Sequence, residues 1–242
     1  AQDDYSVARK YLTPQLATTW KPDTRVLIHS GEPTTVPRLN EGEFRTSLEI
    51  SGELGSNGVL TSQPSGSTRV LDFMLTSVDG QWRISKAPDG VIVPRADFEQ
   101  IFDPITLYFY SAKDPNYLVP DPRWFVKRST ASTAAVRALL SGPAGYLGGA
   151  VTSALPQSAS LSRSSVPVSG GAATVALSLA NFDPADVDEA HRMDQQLRAT
   201  LQSVPNVEDV DLTINDAPVE TTGRTSSEAV RSVTVPNRQI GV

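Results

Sequence analysis

The chain has 242 residues, a length that suits one large domain or two ordinary ones. Its 27 acidic residues outnumber its 21 basic ones, and the net charge of −6, without any basic stripe, argues against a nucleic-acid partner. The absence of cysteine excludes disulfides, thiolate zinc sites and cysteine nucleophiles, and no apolar run approaches the roughly 18 residues of a membrane-spanning helix.

The first hundred residues predict a helix followed by a curved antiparallel sheet. Residues 1–12 have the apolar spacing of a helix, which Pro14 ends. Residues 44–54 alternate between apolar and polar side chains, as a strand with one buried face does. Asn57-Gly58 and Asp79-Gly80 are strong hairpin-turn signals that separate the strands after it.

A domain boundary is predicted at about residue 103, where Asp103-Pro104 breaks a short helical pattern. The prediction is an N-terminal domain over 1–103, a second domain over 104–219, and a linker or the start of a truncated domain over 220–242. The second domain follows the order β-α-β-β-α-β, so the whole chain is predicted to be α+β. Its predicted elements are strand 107–110, a proline-rich loop 111–123, helix 130–140, strands 161–168 and 173–179, a helix from Asp183 as N-cap to about 203, and strand 207–214.

No pattern in the sequence assigns a catalytic residue, a metal site or a cofactor, so the chain is predicted not to be an enzyme. His29 and His191 lie in different predicted domains, and a triad or a multi-histidine metal site would have to bridge the two. The acidic cluster at 183–189 could bind calcium, but its spacing is not that of an EF-hand loop. Acidic residues in the first turn of a helix also stabilise that helix by themselves.

Two groups of side chains are candidates for binding. The first could form an interaction surface, because exposed Trp and Arg anchor protein interfaces, although large aromatic side chains are more often buried. This candidate surface consists of Arg123, Trp124, Phe125, Lys127 and Arg128. The second group could line an apolar pocket in the first sheet, and this candidate pocket consists of Phe44, Leu48, Ile50, Leu71, Phe73 and Trp82.

Several segments in both halves resemble known families. The second half resembles a GerMN domain, a small α/β module named after sporulation and germination proteins, through residues 107–110, 138–143, 153–156, 170–178, 195–201 and 204–210. The first half, through Tyr11–Pro14, Trp20 and Gly80–Ile84, resembles the domain that precedes GerMN in the LpqB-type lipoproteins of actinobacteria. That domain has the helix-then-curved-sheet order of NTF2-like folds, and the two resemblances together cover about residues 1–219.

The resemblance implies an extracytoplasmic protein that a lipid anchors to the cell membrane. LpqB-type lipoproteins are thought to modulate a sensor histidine kinase of the MtrB type, so its extracellular domain is the implied partner, with a role in cell-envelope homeostasis and cell division. Such proteins begin with an export signal and a lipidated cysteine and end with a β-propeller. This sequence has none of the three, as is expected of a fragment cut from a longer protein.

Two functions follow as hypotheses. The first is an accessory regulator that binds the sensor's extracellular domain. The alternative is a small-ligand module that holds a peptidoglycan fragment or a lipid in the candidate pocket. An NTF2-like enzyme is a weaker third hypothesis, because such enzymes use Asp, His or Tyr inside the cone and His29 stands just before a predicted loop.

Overall fold

The computed structural model describes residues 5–219 and 231–232. The chain divides into two compact units, of which the first ends at Ile101 and the second begins at Phe102. Both units combine helices with sheets, so the α+β class predicted from the sequence is confirmed. Of the predicted C-terminal segment 220–242, only Arg231–Ser232 lies within the described residues, as a short strand.

The described part of the first unit has three short α-helices and six strands. In chain order they are α1 (Ser6–Arg9), α2 (Pro14–Thr19), β1 (Arg25–Pro37), β2 (Glu43–Gly55), β3 (Leu60–Ser62), β4 (Thr68–Val78), β5 (Gln81–Lys86), β6 (Val91–Pro94) and α3 (Arg95–Ile101). The strands form one sheet in the order β5-β4-β2-β1-β6, and β3 pairs with β2 outside this path. Every pair is antiparallel except β1 with β6, which is parallel.

The first helix is shorter than predicted. It ends at Arg9, and a second helix then begins at Pro14 with Thr13 as its N-cap. The Thr13 hydroxyl accepts a hydrogen bond from the Leu16 N–H, and proline suits the first helical position because its missing N–H would have no partner there. Pro14 therefore starts a helix as well as ending the preceding pattern.

Strand β2 shows what holds the first sheet together. Its second half alternates between buried and more exposed side chains, as the sequence predicted. Leu48 and Ile50, each 2% exposed, pack with Leu27 and Leu71 into one apolar cluster. Burying one such side chain contributes about 1.5–3 kcal/mol, and a register slip of one residue would expose all of them, so this face fixes the strand register.

The turns and bulges of the first sheet give it its shape. Asp79 and Gly80 join β4 to β5 as predicted, and their φ angles of 51° and 75° are both positive, as a type I′ hairpin turn requires. Register shifts interrupt the ladder after Ile28 in β1 and after Met74 in β4. Because such bulges bend and twist a strand, the sheet curls rather than staying flat.

The described part of the second unit has two α-helices, of 10 and 15 residues, and strands of 2 to 10 residues. In chain order its elements are β7 (Phe102–Ser111), β8 (Tyr117–Val126), α4 (Ala131–Leu140), β9 (Val151–Thr152), β10 (Ser160–Leu161), β11 (Val168–Ser169), β12 (Ala172–Ser178), α5 (Val187–Leu201), β13 (Asp209–Ile214), β14 (Ala217–Pro218) and β15 (Arg231–Ser232). One sheet has the order β15-β8-β7-β9, and the other β10-β12-β13-β14 with β11 also paired to β12. Helix α5 contacts β7 of the first of these sheets and β13 of the second. Both sheets and both helices contribute to one buried apolar cluster, which includes Ile105, Leu107, Phe109, Val136, Leu139, Val175, Leu177, Met193, Leu197, Leu201, Val210 and Leu212.

Strand β8 overturns the predicted loop over 111–123. It pairs with β7 in antiparallel register over its whole length, with Pro120 opposite Tyr108 and Pro122 opposite Thr106. The amides of Tyr108 and Thr106 donate to side chains of α5 and the turn after it, not to β8. These are therefore non-hydrogen-bonded pairs, in which proline removes no bond of the β7–β8 ladder.

The predicted strand 161–168 is also wrong, because only its two ends are strands, β10 and β11. The middle is tied to helix α4 through the backbone of Val166. Its N–H donates to the Thr133 hydroxyl at 2.9 Å, and its carbonyl accepts from the Ser132 hydroxyl at 2.7 Å. Side chains of α4 thus take the backbone groups that a continuous strand would have paired with β12.

The two long helices end and begin close to where the sequence placed them. Gly142, with a φ of 91°, follows α4 and ends it, as predicted. Helix α5 begins later than predicted, since its N-cap is Asp186 rather than Asp183. Asp186 accepts a hydrogen bond from the Glu189 N–H, whereas Asp183 accepts one from the Ala185 N–H in the turn before the helix.

Candidate functional site

Arg123 is not at the surface, contrary to its place in the candidate surface. Its side chain is 2% exposed and forms an ion pair with Asp121, which is fully buried. Nε and Nη2 of Arg123 donate to the two carboxylate oxygens of Asp121 at 3.0 and 2.7 Å. Residues two apart on a strand point to the same face, so both side chains are directed inward from β8.

The Asp121–Arg123 pair connects β8 to the segment after α4. Asp121 also accepts hydrogen bonds from the Ala144 N–H at 2.9 Å and from the Tyr146 hydroxyl at 2.7 Å. Nη2 of Arg123 donates to the Gly142 carbonyl at 3.3 Å. Burial of the Tyr146 hydroxyl, together with its bond to Asp121, raises its pKa. A buried ion pair needs such additional partners to offset its desolvation, and this pair therefore has a structural role.

The other members of the candidate surface differ in exposure. Trp124, Phe125 and Arg128 are half-buried, and Lys127 is exposed. Nζ of Lys127 forms an ion pair with Asp103 at 3.1 Å, and both of these side chains are more than a third exposed. Phe125, Lys127 and Arg128 line a cleft in the second unit, which Trp124 does not reach.

The cleft has a volume of about 590 Å³ and lies beside the last residues of β8. Four parts of the chain that are far apart in sequence form its walls: the start of β7, the end of β8 with the first turn of α4, the residues around β11, and the turn after α5. The lining residues are Asp103, Ile105, Phe125, Val126, Lys127, Arg128, Ser129, Ala131, Ser132, Pro167, Val168, Val204, Pro205 and Asn206.

Apolar and charged groups occupy different parts of the cleft wall. Ile105 and Val204 are buried, at 0% and 6% exposure, and form its inner side. The charged groups among the described lining residues are one carboxylate, Asp103, and two cations, Lys127 and Arg128. Helix α4 starts at the same place, has no acidic residue in its first turn and no side-chain cap at Thr130. Its positive end therefore adds to the two cations.

Sequence reasoning found three of the cleft's residues and missed the rest. The sequence singles out Val204, Pro205 and Asn206 only through the resemblance to a GerMN domain. Asn206 has a φ of 64°, a conformation that asparagine tolerates better than most residues and that shapes this turn. No local pattern could have joined this turn to Phe125, because the cleft exists only after α5 has packed against β7.

The six side chains of the candidate pocket differ in their surroundings. Leu48, Ile50 and Leu71 are buried in the apolar cluster of the first unit, and Phe73 packs against it. Trp82, in contrast, is 55% exposed. Side chains that pack against one another are core residues, and this packing counts against a ligand pocket between them.

Two family models match the chain, one in each unit. The model described as "Lipoprotein LpqB, N-terminal domain" matches residues 1–99, and the model described as "Sporulation and spore germination", the GerMN domain, matches residues 106–220. Lipoprotein LpqB of Bifidobacterium longum is 32% identical over 209 residues, which are 82% of this chain and 36% of that protein. The chain belongs to the LpqB family.

A second curated relative agrees with this membership. Lipoprotein LpqB of Thermobifida fusca is 28% identical over 92% of this chain and 37% of its own length, so the chain spans a little over a third of these curated relatives. Among solved structures, the tandem GerMN domains of GerM from Bacillus subtilis are 17% identical, with a TM-score of 0.37 over 49% of this chain and 40% of that one. A putative lipoprotein from Clostridium perfringens is 18% identical, with a TM-score of 0.30 over 49% of this chain and 78% of that one.

In this LpqB-family chain, the GerMN segment 195–201 has a structural role. Gln196 is fully buried, accepts a hydrogen bond from the Ala154 N–H at 2.7 Å and donates to the Tyr108 carbonyl at 2.8 Å. The Thr200 hydroxyl accepts from the Tyr108 N–H at 3.1 Å. Side chains of α5 thus satisfy the edge of β7 that faces away from β8, as a neighbouring strand would.

Arg198 connects α5 to the last strand of the GerMN domain. Its Nε donates to both carboxylate oxygens of Asp194 at 3.0 and 2.8 Å, and its other nitrogens reach Asp209 and the Val210 carbonyl. The Val210 N–H, followed by Arg198, lowers the pKa of Asp209. Burial raises the pKa of Asp194 despite the same arginine. These contacts orient the helix on β13.

Each histidine has a hydrogen-bonding neighbour close to it in sequence. Nδ1 of His29 lies 3.0 Å from the Gly31 carbonyl, and Nε2 of His191 lies 2.8 Å from Nε2 of Gln195. Within residues 5–219 and 231–232, no three His, Asp or Glu side chains are grouped to hold a metal ion. Across the same residues, no helix combines the length and apolar character needed to cross a bilayer. Neither family description names an enzymatic activity.

Proposed function

We propose that the chain is the protein-binding part of an extracytoplasmic lipoprotein that a lipid anchors to the cell membrane. In this proposal it is an accessory regulator that binds the extracellular domain of a sensor histidine kinase of the MtrB type, with a role in cell-envelope homeostasis and cell division. The names of the two curated relatives described above, both lipoproteins, support the location. The cleft supports a binding role.

The composition of the cleft is the observation that carries the proposal. Protein interfaces combine an apolar centre with a polar rim and are enriched in aromatic residues and arginine. Phe125, Ile105 and Val204 supply the apolar centre of the cleft, while Lys127 and Arg128 supply cations beside it. Such a site would hold the central contacts of a larger interface.

Several polar groups with raised pKa values lie outside the cleft. Active sites collect groups with shifted pKa values in a cleft. The described groups with raised pKa values include Tyr110, Tyr146 and Asp194, and none of them lines this cleft. Their partners are structural: the Tyr110 hydroxyl, for example, donates to the Arg192 carbonyl at 3.0 Å.

Regulation by such a protein requires differential binding. A sensor that exists in two conformations shifts toward the one its partner binds more tightly, and the shift cannot exceed the difference between the two affinities. The chain would therefore act by preferring one conformation of the sensor's extracellular domain, without any chemical step.

The test is direct binding of the purified chain to the purified extracellular domain of the sensor, measured by biolayer interferometry. We expect saturable binding with a Kd on the order of micromolar, as for regulatory encounters of modest interface size. The extracellular domain of an unrelated sensor kinase is the control and should not bind. Absence of saturable binding to a correctly folded sensor domain would contradict the proposal.

The alternative, a peptidoglycan fragment or a lipid held in the first unit, has less support. It needs an open apolar space between the strands, whereas Leu48, Ile50 and Leu71 pack against one another and against Leu27. A ligand-dependent rise in the melting temperature of the chain with a muropeptide or a phospholipid would favour it. The likeness of this unit to NTF2-like folds stays a prediction.

A further inference from the structure

We infer that the cleft binds an extended acidic segment of a partner protein, with one apolar side chain against Ile105 and Val204 and a carboxylate beside Lys127 and Arg128. The inference deepens the proposed function and rests on it only in taking the ligand to be a protein. It names the chemistry of the segment and leaves the identity of the partner to the binding test above.

The apolar part of the cleft fits a side chain rather than a flat surface. Ile105 and Val204 are buried beneath it, and Val168, which is 37% exposed, forms part of its side. A volume of about 590 Å³ lies within the roughly 300–1,000 Å³ range of sites that enclose a ligand. Such a space accepts a few residues of an extended chain, whereas a whole folded surface could not enter it.

The charges of the cleft oppose those of the molecule as a whole. The chain carries a net charge of −6. Among the described residues that line the cleft, two carry a positive charge, Lys127 and Arg128, and one carries a negative charge, Asp103. The positive end of α4 lies at the same place and has no acidic residue of its own in the first turn. A partner carboxylate beside these two cations and the positive end of α4 would therefore meet complementary charge.

The ion pair between Lys127 and Asp103 gives a way to change the affinity of the cleft for a carboxylate by substitution. The two groups are 3.1 Å apart and more than a third exposed, so water and salt screen their attraction. An incoming carboxylate competes with Asp103 for the same ammonium group. Removing the charge of Asp103 should therefore strengthen binding of an acidic segment, an effect that loss of folding cannot imitate.

The experiment uses the full chain and three fluorescein-labelled nonapeptides, followed by fluorescence anisotropy at low ionic strength. The peptides share a central Leu-Val pair and differ in the residues on both sides of it. The acidic peptide has Glu and Asp there, the neutral peptide Ser and Gly, and the basic peptide Lys. We expect the acidic peptide to bind at least about 5-fold more tightly than the lysine peptide, and added salt to reduce this difference.

Three variants locate the effect. Asp103→Asn should tighten binding of the acidic peptide by about 2- to 5-fold, and Lys127→Glu should weaken it by about 5- to 10-fold, the sizes expected of exposed charge pairs. Lys113→Glu is the control, because it makes the same charge change in the exposed loop at the opposite end of the β7–β8 hairpin. It should alter the affinity for the acidic peptide by less than about 2-fold. Melting temperatures show whether each variant is folded.

The outcomes separate this inference from the proposed function. Equal binding of the three peptides, or no gain with Asp103→Asn, would overturn the inference even if the sensor domain binds. Equal weakening by Lys113→Glu and Lys127→Glu would overturn it too, because the effect would then belong to the overall charge. If the acidic peptide binds in the cleft while the sensor domain does not bind, the inference stands and the choice of partner fails.

Discussion

Arg123 and Lys127 lie four residues apart in one cationic run, yet their surroundings are opposite. Arg123 is 2% exposed and makes two short contacts with a buried carboxylate, Asp121. Lys127 has a side chain that is 40% exposed and forms an exposed ion pair with Asp103 at 3.1 Å. The first pair holds the segment after α4 against β8, whereas the second lies exposed to water at the edge of a cleft.

The difference shows that burial, more than the identity of the charged groups, decides what an ion pair does. Breaking a buried pair leaves an uncompensated charge and destabilises a protein by about 3–5 kcal/mol. An exposed pair is screened by water and contributes only about 0–1 kcal/mol. A stabilising role and a binding role can therefore be separated by substitution within this one run of residues.

The largest effect should come from Arg123→Ala. It leaves the Asp121 carboxylate buried with only the Ala144 N–H and the Tyr146 hydroxyl as described partners. We expect the free energy of unfolding, measured by urea denaturation, to fall by about 3–5 kcal/mol.

Arg163→Ala is the matched control for that substitution, because Arg163 is exposed. Its effect should stay within about 0.5 kcal/mol. If Arg123→Ala proves too unstable to purify, Arg123→Lys should give a measurable intermediate loss, since an ammonium group cannot make the same two contacts. A stability for Arg123→Ala equal to that of Arg163→Ala would refute the buried pair.

Tyr146→Phe should have an intermediate effect. The residue is 61% exposed overall, but its hydroxyl donates to Asp121 at 2.7 Å. Removing a hydrogen bond to a charged group costs about 1.5–3 kcal/mol, and the loss should be at the low end here because Asp121 keeps its other partners. Urea denaturation at neutral pH measures the loss in the free energy of unfolding. An unchanged denaturation midpoint would show that the hydroxyl does not stabilise the buried Asp121–Arg123 pair.

The same tyrosine predicts a dependence on alkaline pH. Its pKa in the folded chain is raised above the ordinary value of 10.0, so the folded state keeps a proton that the unfolded state loses. The stability due to this group is therefore complete below pH 10 and declines as the pH rises above it. The difference in melting temperature between the parent chain and Tyr146→Phe should shrink from pH 9 to pH 11, and a constant difference would contradict this assignment.

The sequence predicted those elements whose signals are local. Alternation in β2, the Asp79-Gly80 turn and the glycine that ends α4 each depend on a few neighbouring residues, and each was confirmed. Strand β8 was missed because proline normally argues against a strand. The two prolines are tolerated because the opposing amides of β7 donate to Thr200 and Ser203 and not to β8. These two residues are more than 90 positions away in the sequence, so no local pattern reveals them.

The candidate site shows the same limit more sharply. Arg123 and Lys127 belong to the same cationic run, but Arg123 is buried against Asp121 whereas Lys127 is 40% exposed beside Asp103. The cleft joins residues 103–105, 125–132, 167–168 and 204–206, and no spacing rule connects these segments. The run of cationic and aromatic residues could therefore suggest a binding surface. The apolar side of the cleft could not be predicted, because it forms only when α5 and β11 pack beside β7 and β8.

The smallest effect on stability should come from Lys127→Ala. Because the side chains of Lys127 and Asp103 are 40% and 36% exposed, the substitution exposes no buried charge, and we expect the free energy of unfolding to change by less than about 0.5 kcal/mol. The same variant should bind the acidic nonapeptide about 2- to 5-fold more weakly than the parent chain. Urea denaturation and anisotropy on one preparation measure both quantities. A stability loss comparable to that of Arg123→Ala would show that both cations of the run serve the fold, and the contrast between them would then disappear.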